Sequence, residues 1–411
     1  MRSVSNLLVG CTVLALVAVS AAPALADPPS GVTPRASDVA GVGSDTLPYL
    51  LDQFSYDYNQ AHKGASSLLY SWDATNPATG QAGDPIKTKA GCAAIARPDG
   101  SSAGISALAA NVTDPSSPGA YCIDYAGSSR APSASDPACG TGGLCFVALA
   151  GDAVTWASRD AASGGTDAPA SLTPTQLRDI YLCKITNWAK VGGQNAPIKA
   201  FLPQASSGTR TFWLTALGGG VTPITPGACV SDAANTLQDN QGINQVLDSP
   251  EAIVPYSVAD YIAQVYHEAP CANASCTGSP ACAPAGAQNR FGCDQHGVLG
   301  LNEIGGSKPI APWPPPGSPC SQCRINSRFK ALFQRTVYVV VRSASTPDNI
   351  PAYLEPIFAA TTASTPGWAC SSPQAQKDVK AYGFLLLSSI PALTPGGGFV
   401  ASGGQCGTPH H

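Results

Sequence analysis

Four short loops rich in Ser and Thr contain the residue types best suited to binding chemistry in this 411-residue sequence. Each loop follows a run that predicts a β-strand and precedes a predicted helix or turn. Hydroxyl groups and the free N–H groups at a helix N-terminus donate hydrogen bonds, and the helix dipole favours a negative charge there. The four loops lie at residues 44–46, 101–102, 128–130 and 206–210.

The last of these loops gives the strongest signal. In the stretch 201–215, FLPQASSGTRTFWLT, the residues Ser207, Gly208 and Thr209 predict a helix start, and Arg210 adds a positive charge. Alone, this pattern is more typical of an ordinary helix cap. Four such loops together favour a ligand site over ordinary helix caps, because loops of this kind gather at the carboxyl ends of the strands in an open α/β sheet. They predict a buried site for a small oxyanion.

Asp45 is the unusual residue of the first loop. A carboxylate repels a bound anion unless it accepts a proton that the anion still carries. Monohydrogen phosphate has such a proton and sulfate does not, so Asp45 would select phosphate. The alternative, given equal weight, is that Asp45 only caps the helix that follows.

The elements that must position these loops are short strands alternating with helices, which predicts the α/β fold class. A helix is expected from Pro48, and another from Pro174 with Thr173 as its cap. The apolar runs at 144–156 and 336–342 predict long strands, the first of which suits a crossing between two domains.

Length and composition limit the number of domains and the class of partner. A chain of 411 residues with 44% hydrophobic residues is long enough for two domains with their own cores. A formal net charge of −4 argues against a nucleic-acid partner.

Residues 1–26 have the pattern of a secretory signal peptide. Arg2 precedes an apolar run at 7–19, and the small residues of 24–26 (Ala-Leu-Ala) form a cleavage site before Asp27. Cys11 lies in a lipoprotein-like context, but the apolar run continues past it, so lipidation is the minority alternative. No later run is long enough to span a membrane. We therefore expect a secreted protein, with a disordered leader at 27–37 and cell-surface attachment as an alternative.

Cysteine usage agrees with export. Of the 15 Cys, the fourteen that follow Cys11 predict up to seven disulfides in an oxidising compartment. Six of them crowd a Pro-rich insertion at about 270–323. Cys320 and Cys323 form a C-x-x-C pair that would suit zinc, but a second pair is absent and His296 is the only His in the cluster. Disulfides are the preferred interpretation, and we expect no metal.

At this point the chain resembles a known family. The stretch at 172–188, LTPTQLRDIYLCKITNW, is similar to the second-domain helix of the phosphate-binding receptors of bacterial phosphate ABC transporters, which are type II periplasmic binding proteins. The S-G-T at 207–209, the G-S-S-x-G at 100–104 and the G-S-x-x-x-P at 127–132 occur in family order.

The resemblance implies two α/β lobes joined by two crossing strands, which close on the ligand. Lobe 1 would be 38–152 plus 336–411, and lobe 2 would be 153–335 with the insertion. The implied ligand is inorganic phosphate or a related oxyanion, and the implied partner is an ABC permease. The resemblance also implies a monomer without a cofactor. The expected ligand-binding residues, from the family positions and the loops together, are Asp45, Thr46, Leu47, Ser101, Ser102, Ser129, Arg130, Ser207, Gly208, Thr209 and Arg210.

Two positions depart from the family pattern. Pro203 stands where the family often has Arg, and the loop at 128–132 reads SSRAP where the family has its proton-accepting Asp. We hypothesise a swap in which Arg130 supplies the cation and Asp45 supplies the acceptor.

Two other functions compete with a transport receptor. A phosphatase-type hydrolase would need a nucleophile and a base, and the sequence lacks the H-E-x-x-H, G-x-S-x-G and P-loop patterns, so we expect no enzyme. The second alternative is a secreted or wall-associated binding protein without a transport role, which the many cysteines and the apparent lack of a lipid anchor favour.

Overall fold

The structure, a computed structural model, describes residues 27–28, 31–77, 80–110, 121–140, 142–267, 294–314, 320–346, 349–359, 366–387 and 406–410. The predictions made for the signal peptide, for Cys11 and for most of the cysteine-rich insertion fall outside these residues.

Short strands and helices alternate through the described chain, which confirms the α/β fold class. The helices are α1 (Pro48–Ala61), α2 (Ser101–Ala109), α3 (Pro174–Tyr181), α4 (Gly208–Leu217), α5 (Val258–Ile262), α6 (Glu355–Phe358), α7 (Trp368–Ser371) and α8 (Pro373–Ala381). The strands are β1 (Val39–Val42), β2 (Leu69–Ser71), β3 (Pro85–Ile86), β4 (Ile95–Ala96), β5 (Tyr125–Ser128), β6 (Leu144–Arg159), β7 (Ser171–Leu172), β8 (Lys199–Phe201), β9 (Val230–Ser231), β10 (Ala252–Ser257), β11 (Leu299–Leu301), β12 (Glu303–Ile304), β13 (Ile310–Ala311), β14 (Arg324–Ile325), β15 (Gln334–Arg342) and β16 (Pro409–His410).

One mixed sheet runs through the molecule in the order β2-β1-β5-β15-β6-β10-β8-β9. The parallel strands β2, β1 and β5 lie on one side of the β15–β6 pair, and the parallel strands β10, β8 and β9 lie on the other. We call β1, β2 and β5 with α1 and α2 the first lobe, and β8, β9 and β10 with α3 and α4 the second lobe.

β6 is the strand that crosses between the lobes. Its residues 144–153 pair antiparallel with β15, and its residues 154–157 pair antiparallel with β10. All but the last of its residues are buried, which explains why its sequence is a continuous apolar run instead of an alternating one. The long strands predicted at 144–156 and 336–342 are confirmed, and each is two or three residues longer than expected. The exact lobe boundaries stay a prediction.

Two elements at the chain's end are shorter than the sequence indicated. The pattern at 374–387 predicts a helix, but α8 ends at Ala381, because Gly383 turns the backbone into the left-handed region with a φ of 78°. The pattern at 353–360 also predicts a helix, and the structure has only the single turn Glu355–Phe358 there.

The pattern at 120–126 predicts a strand, and the observed strand β5 is Tyr125–Ser128.

Ten of the described cysteines form five disulfides, as expected for an exported chain. The pairs are Cys92–Cys122, Cys139–Cys145, Cys183–Cys229, Cys320–Cys323 and Cys370–Cys406. The C-x-x-C sequence is therefore a disulfide. Together these disulfides restrict the conformations of connecting segments in both lobes.

α3 illustrates how the sequence fixes a helix start. Thr173 Oγ1 accepts a hydrogen bond from the backbone N–H of Gln176 at 3.2 Å, and the Gln176 side chain accepts one from the backbone N–H of Thr173 at 2.8 Å. This reciprocal pair is a capping box, and Pro174 occupies the first helical position.

We expect Thr173→Ala to lower the free energy of unfolding by about 1 kcal/mol, because the first turn of α3 loses its cap. Urea unfolding of the oxidised protein measures this loss. The exposed Thr222→Ala is the matched control and should change the free energy by less than about 0.5 kcal/mol. Equal effects of the two substitutions would contradict a capping role for Thr173.

Candidate functional site

The four polar loops meet where the two lobes face each other. Thr46 Oγ1 lies 3.2 Å from Thr209 Oγ1, which joins the two lobes, and Ser101 Oγ lies 3.3 Å from Ser129 Oγ. A Cβ atom on Gly208 would lie 2.3 Å from Ser129 Oγ and 2.5 Å from Ser101 Oγ. Only Gly therefore allows α4 to approach the first lobe this closely. We call the five hydroxyl-bearing residues Thr46, Ser101, Ser129, Ser207 and Thr209 the hydroxyl cluster.

Three helices begin at the hydroxyl cluster. α1 starts at Pro48 after the buried Leu47, α2 starts at Ser101, and α4 starts at Gly208 with Ser207 as its cap. The first N–H groups of a helix have no carbonyl partner within that helix. The hydroxyl cluster therefore lies at three positive dipole ends, which is the arrangement that favours a bound anion.

Arg335 provides the cation of the site, and the sequence analysis did not identify it. Its side chain is almost fully buried, and its Nη2 lies 3.5 Å from Thr46 Oγ1. Nη1 donates a hydrogen bond to the carbonyl oxygen of Ser129 at 3.0 Å. The guanidinium group also packs over the ring of Phe212, with 5.5 Å between its central carbon and the ring centroid.

Asp152 balances the charge of Arg335. Arg335 Nε donates to Asp152 Oδ2 at 2.9 Å, and the two residues are opposite each other in the β6–β15 pairing. This carboxylate also accepts hydrogen bonds from Ser257 Oγ at 3.0 Å and from the backbone N–H groups of Ala153 at 2.7 Å and Ala259 at 3.1 Å. A signal for the pair existed in the sequence, since Asp152 interrupts one apolar strand and Arg335 directly precedes the apolar run of the other.

The guanidinium groups of Arg130 and Arg210 are engaged elsewhere. Arg130 donates from Nη1 and Nη2 to the two carboxylate oxygens of Asp136 at 2.7 and 2.9 Å. Arg210 Nη1 donates to the carbonyl oxygen of Pro203 at 2.9 Å and to Asp232 Oδ2 at 3.2 Å. The hypothesis that Arg130 replaces the missing cation stays a prediction, and in this structure its guanidinium is paired with Asp136.

Ser102 contributes to contact between the lobes instead of to the hydroxyl cluster. Its backbone N–H donates to the carbonyl oxygen of Ser206 at 3.0 Å, and its Oγ accepts from Arg130 Nε at 3.1 Å. Nearby, Gln204 and Gln238 of the second lobe donate their side-chain N–H groups to Asp99. The lobes are therefore in direct contact around the site.

Asp239 is the second residue that the sequence analysis missed. Its carboxylate accepts a hydrogen bond from Ser207 Oγ at 2.6 Å and one from Thr46 Oγ1 at 3.2 Å. Thr46 and Ser207 belong to different lobes, so this carboxylate bridges them. The run around Asp239 has no loop-and-helix pattern of the kind used to select candidates.

Asp45 is in contact with Asp239. Its Oδ2 accepts a hydrogen bond from the backbone N–H of Asp239 at 3.4 Å, and the side chains of the two residues hydrogen-bond to each other. Burial, together with the negative charge of Asp239, raises the pKa of Asp45 well above its ordinary value. The environment therefore favours a protonated Asp45, which is able to donate a proton instead of accepting one.

Two further carboxyl groups near the site have raised pKa values. Burial and the charges of Asp152 and Asp239 raise the pKa of Asp260. Burial also raises the pKa of Asp99, to about 6, although its hydrogen bond from Gln238 acts in the opposite direction. Burial therefore favours the neutral form of these two carboxyl groups more than that of an ordinary Asp.

The residue types that a metal site or a hydrolase would use have the following contacts in the described part of the chain. No group of three or more His, Cys, Asp or Glu there is arranged to hold a metal ion. Ser207 donates its hydroxyl to the Asp239 carboxylate, His62 and His267 contact the backbone carbonyls of Tyr58 and Ala381, and His296 contacts the carboxylate of Asp294. Within the same described part, no helix combines the length and apolar character needed to cross a bilayer.

We expect wild type to lose stability relative to Asp99→Asn as the pH rises from about 4 to about 6. The folded state holds the Asp99 proton more tightly than the unfolded state does. The stabilisation that comes from protonated Asp99 is therefore present at low pH and disappears once the folded carboxyl ionises. Melting curves across this range measure it. Asp248→Asn, at a half-exposed carboxylate, is the control and should run parallel to wild type. Parallel wild-type and Asp99→Asn curves would contradict the raised pKa.

Comparison with known proteins gives a consistent family assignment. A model of the PBP superfamily domain matches residues 29–278. The fold is similar to an ABC-type phosphate transport receptor from Vibrio cholerae, with 16% identity and a TM-score of 0.46 over 84% of this chain and 99% of that one. It is also similar to a putative phosphate ABC transporter substrate-binding protein with bound phosphate from Clostridium perfringens, with 14% identity and a TM-score of 0.45 over 85% and 98% of the two chains. Because the family model spans more than half of the sequence, this chain belongs to the PBP superfamily.

Proposed function

We propose that this protein binds a small oxyanion, inorganic phosphate, at the hydroxyl cluster between its two lobes. The observation that carries the proposal is the meeting of hydroxyls from both lobes beside the buried guanidinium of Arg335. A tetrahedral oxyanion needs many donors at one point, and helix N-termini, Ser and Thr hydroxyls and Arg are the groups that supply them. The S-G-T and G-S-S-x-G motifs, which resemble those of phosphate receptors, lie at this point.

The charge balance favours an anion that still carries a proton. Asp152 already neutralises Arg335, and the carboxylate of Asp239 lies among the donors. An anion without a proton would be repelled by Asp239, whereas the P–OH group of monohydrogen phosphate would donate to it. The hydroxyls of Ser207 and Thr46 would then rotate toward the phosphate oxygens. In this proposal Asp239, instead of Asp45, replaces the acceptor that the family has in its S-D-x-P loop.

We further propose that the bound phosphate is passed to an ABC permease after export. The predicted signal peptide and the family assignment support a receptor outside the cytoplasm. The five disulfides favour the rival function, a secreted binding protein without a transport role. Phosphate uptake by cells that lack this chain distinguishes the two, since only the transport receptor is needed for uptake at low phosphate.

Arg335→Gln is expected to weaken phosphate binding by roughly 100-fold, because a charged hydrogen-bond donor is worth about 2–3 kcal/mol. Isothermal titration of the oxidised protein, stripped of carried-over ligand by unfolding and refolding, measures the affinity. Arg210→Gln removes the same charge from a guanidinium that points to Asp232, and it should change the affinity by less than about two-fold.

The Arg335 variant leaves Asp152 buried without its partner, so loss of fold must be excluded. The double variant Arg335→Gln with Asp152→Asn restores the charge balance and should still bind weakly. Binding as tight as wild type in this folded double variant would contradict the assignment of Arg335.

Asp239→Asn is expected to reduce the preference for phosphate over sulfate by about ten-fold or more, because the acceptor for the phosphate proton is lost and the repulsion of sulfate disappears. Paired titrations with the two anions measure the ratio. Asp45→Asn is the matched control and should keep the preference, since the raised pKa of Asp45 makes that carboxyl a poor acceptor for the phosphate proton. The opposite result, with the preference lost only in Asp45→Asn, would restore Asp45 as the discriminating residue.

A further inference from the structure

Two carboxyl groups from different lobes hydrogen-bond to each other beside the hydroxyl cluster. Asp45 lies between β1 and α1 of the first lobe, and Asp239 lies in the connection between β9 and β10 of the second lobe. Both residues are only 1% exposed. Their side chains form a hydrogen bond, and the backbone N–H of Asp239 donates a second one to Asp45 Oδ2 at 3.4 Å. We call Asp45 and Asp239 the interlobe carboxyl pair.

One member of the interlobe carboxyl pair must hold a proton. An ionised carboxylate only accepts hydrogen bonds, so two carboxylates have no donor to share, and they repel each other strongly where water is excluded. The Asp239 carboxylate already accepts hydrogen bonds from Ser207 Oγ at 2.6 Å and from Thr46 Oγ1 at 3.2 Å. Two hydroxyl donors favour its ionised form, which assigns the proton to Asp45. Burial and the charge of Asp239 raise the pKa of Asp45, in agreement with this assignment.

We propose that protonated Asp45 is a positioning residue for the anion site, because it donates its proton to the Asp239 carboxylate and thereby holds the second lobe against the first. When Asp45 loses this proton, two carboxylates face each other and the lobes separate. The hydroxyl donors of the two lobes then no longer meet. The contact between the lobes does not depend on which anion is bound, whereas its effect on phosphate affinity rests on the proposed function.

The other contacts between the lobes near the pair are weaker than this repulsion. Thr46 and Thr209 are joined through their hydroxyls at 3.2 Å. The backbone N–H of Ser102 donates to the carbonyl oxygen of Ser206 at 3.0 Å. Each of these is a neutral hydrogen bond with a small net contribution to stability, whereas two like charges in contact at a buried interface are much more costly. The protonation state of Asp45 therefore decides whether the lobes stay together.

Other ionisable groups near the pair also respond to pH, and one substitution separates them from Asp45. The charged and titratable groups that interact with the pair or with its hydroxyl partners are Asp99, Asp260, Tyr256 and Arg335, the last of which is paired with Asp152. All of them remain in Asp45→Asn. The Asn amide keeps a donor for Asp239 but does not ionise. The difference between wild type and Asp45→Asn at a given pH therefore reports the Asp45 proton.

Amide hydrogen exchange of the oxidised, ligand-free protein tests the contact between the lobes. The readout is the backbone N–H of Ser102, which donates across the lobes. Relative to Asp45→Asn, its protection in wild type should fall by about ten-fold or more between about pH 5 and about pH 9, since buried carboxyl groups titrate as high as about pH 8–9. The intrinsic pH dependence of exchange is the same in both proteins. The backbone N–H of Gln176, which donates to Thr173 within the second lobe, should be equally protected in both.

Two further variants serve as controls. Asp45→Leu is similar in size but has neither a donor nor a charge, so the protection of the Ser102 N–H should be lower than in Asp45→Asn and independent of pH. Protection of the Gln176 N–H in the same sample shows that this variant is folded. Asp248→Asn, at a half-exposed carboxylate, should follow wild type at every pH.

Phosphate titration over the same pH range gives the second reading. The affinity of wild type relative to Asp45→Asn should fall by up to about ten-fold for each pH unit above the pKa of Asp45, because only the protonated form holds the lobes together. The ionisation of phosphate itself is common to both titrations.

Equal protection of the Ser102 N–H in wild type and Asp45→Asn across this range would overturn the proposal. Parallel phosphate affinities of the two proteins would also overturn it, because Asp45 would then have no effect on the site. If neither protein bound phosphate at any pH, the proposed function would fail, and hydrogen exchange alone would decide whether protonated Asp45 holds the lobes together.

Discussion

The ion pair between Arg335 and Asp152 is the interaction on which the rest of the site depends. The two charges lie opposite each other on the two central strands, β15 and β6, at the point where β6 passes from one lobe to the other. Neither charge is tolerable alone in so buried a position, so each fixes the other. The pair also aims the guanidinium at the hydroxyls of the first lobe and ties Asp152 to the start of α5 in the second part of the chain. β6 thus connects the lobes, and the neighbouring β15 carries the cation of the proposed site.

Around this pair the recognition elements are mostly neutral donors. Hydroxyls and helix N-termini supply partial positive charge at a point that also contains several carboxyl groups. A site of this kind discriminates by the number and direction of hydrogen bonds more than by net charge. In the proposed site Asp239 has the decisive place, because its carboxylate accepts hydrogen bonds from Ser207 and Thr46, one from each lobe. The raised pKa of Asp45 makes a second negative charge in the same region less favourable.

The sequence predicted the parts of this arrangement that depend on local pattern. The cap of α3, the long central strands and the convergence of the polar loops all follow from residue type and spacing. The residues that it missed act over long distances in the chain. Arg335 and Asp152 are 183 positions apart, and Asp239 and Thr46 are 193 apart. Local pattern cannot pair such residues, although the isolated charges in two apolar strands were a usable signal.

Arg130 is a residue that the sequence selected as a ligand contact and that the structure pairs with a carboxylate. It lies in the expected loop, but Asp136, six residues later, takes its guanidinium in a bidentate contact. Residue type and loop position are therefore insufficient to assign a ligand contact, because a nearby carboxylate competes with the ligand for the same donors.

A crystal structure of the oxidised protein grown with phosphate tests most directly whether the cleft is an oxyanion site. We predict tetrahedral density in contact with Arg335 and with hydroxyls of both lobes, and a P–OH oxygen within hydrogen-bond distance of Asp239. Phosphate bound elsewhere, or a cleft in which Thr46 and Ser207 keep their contacts to Asp239 with no ligand between the lobes, would contradict the account.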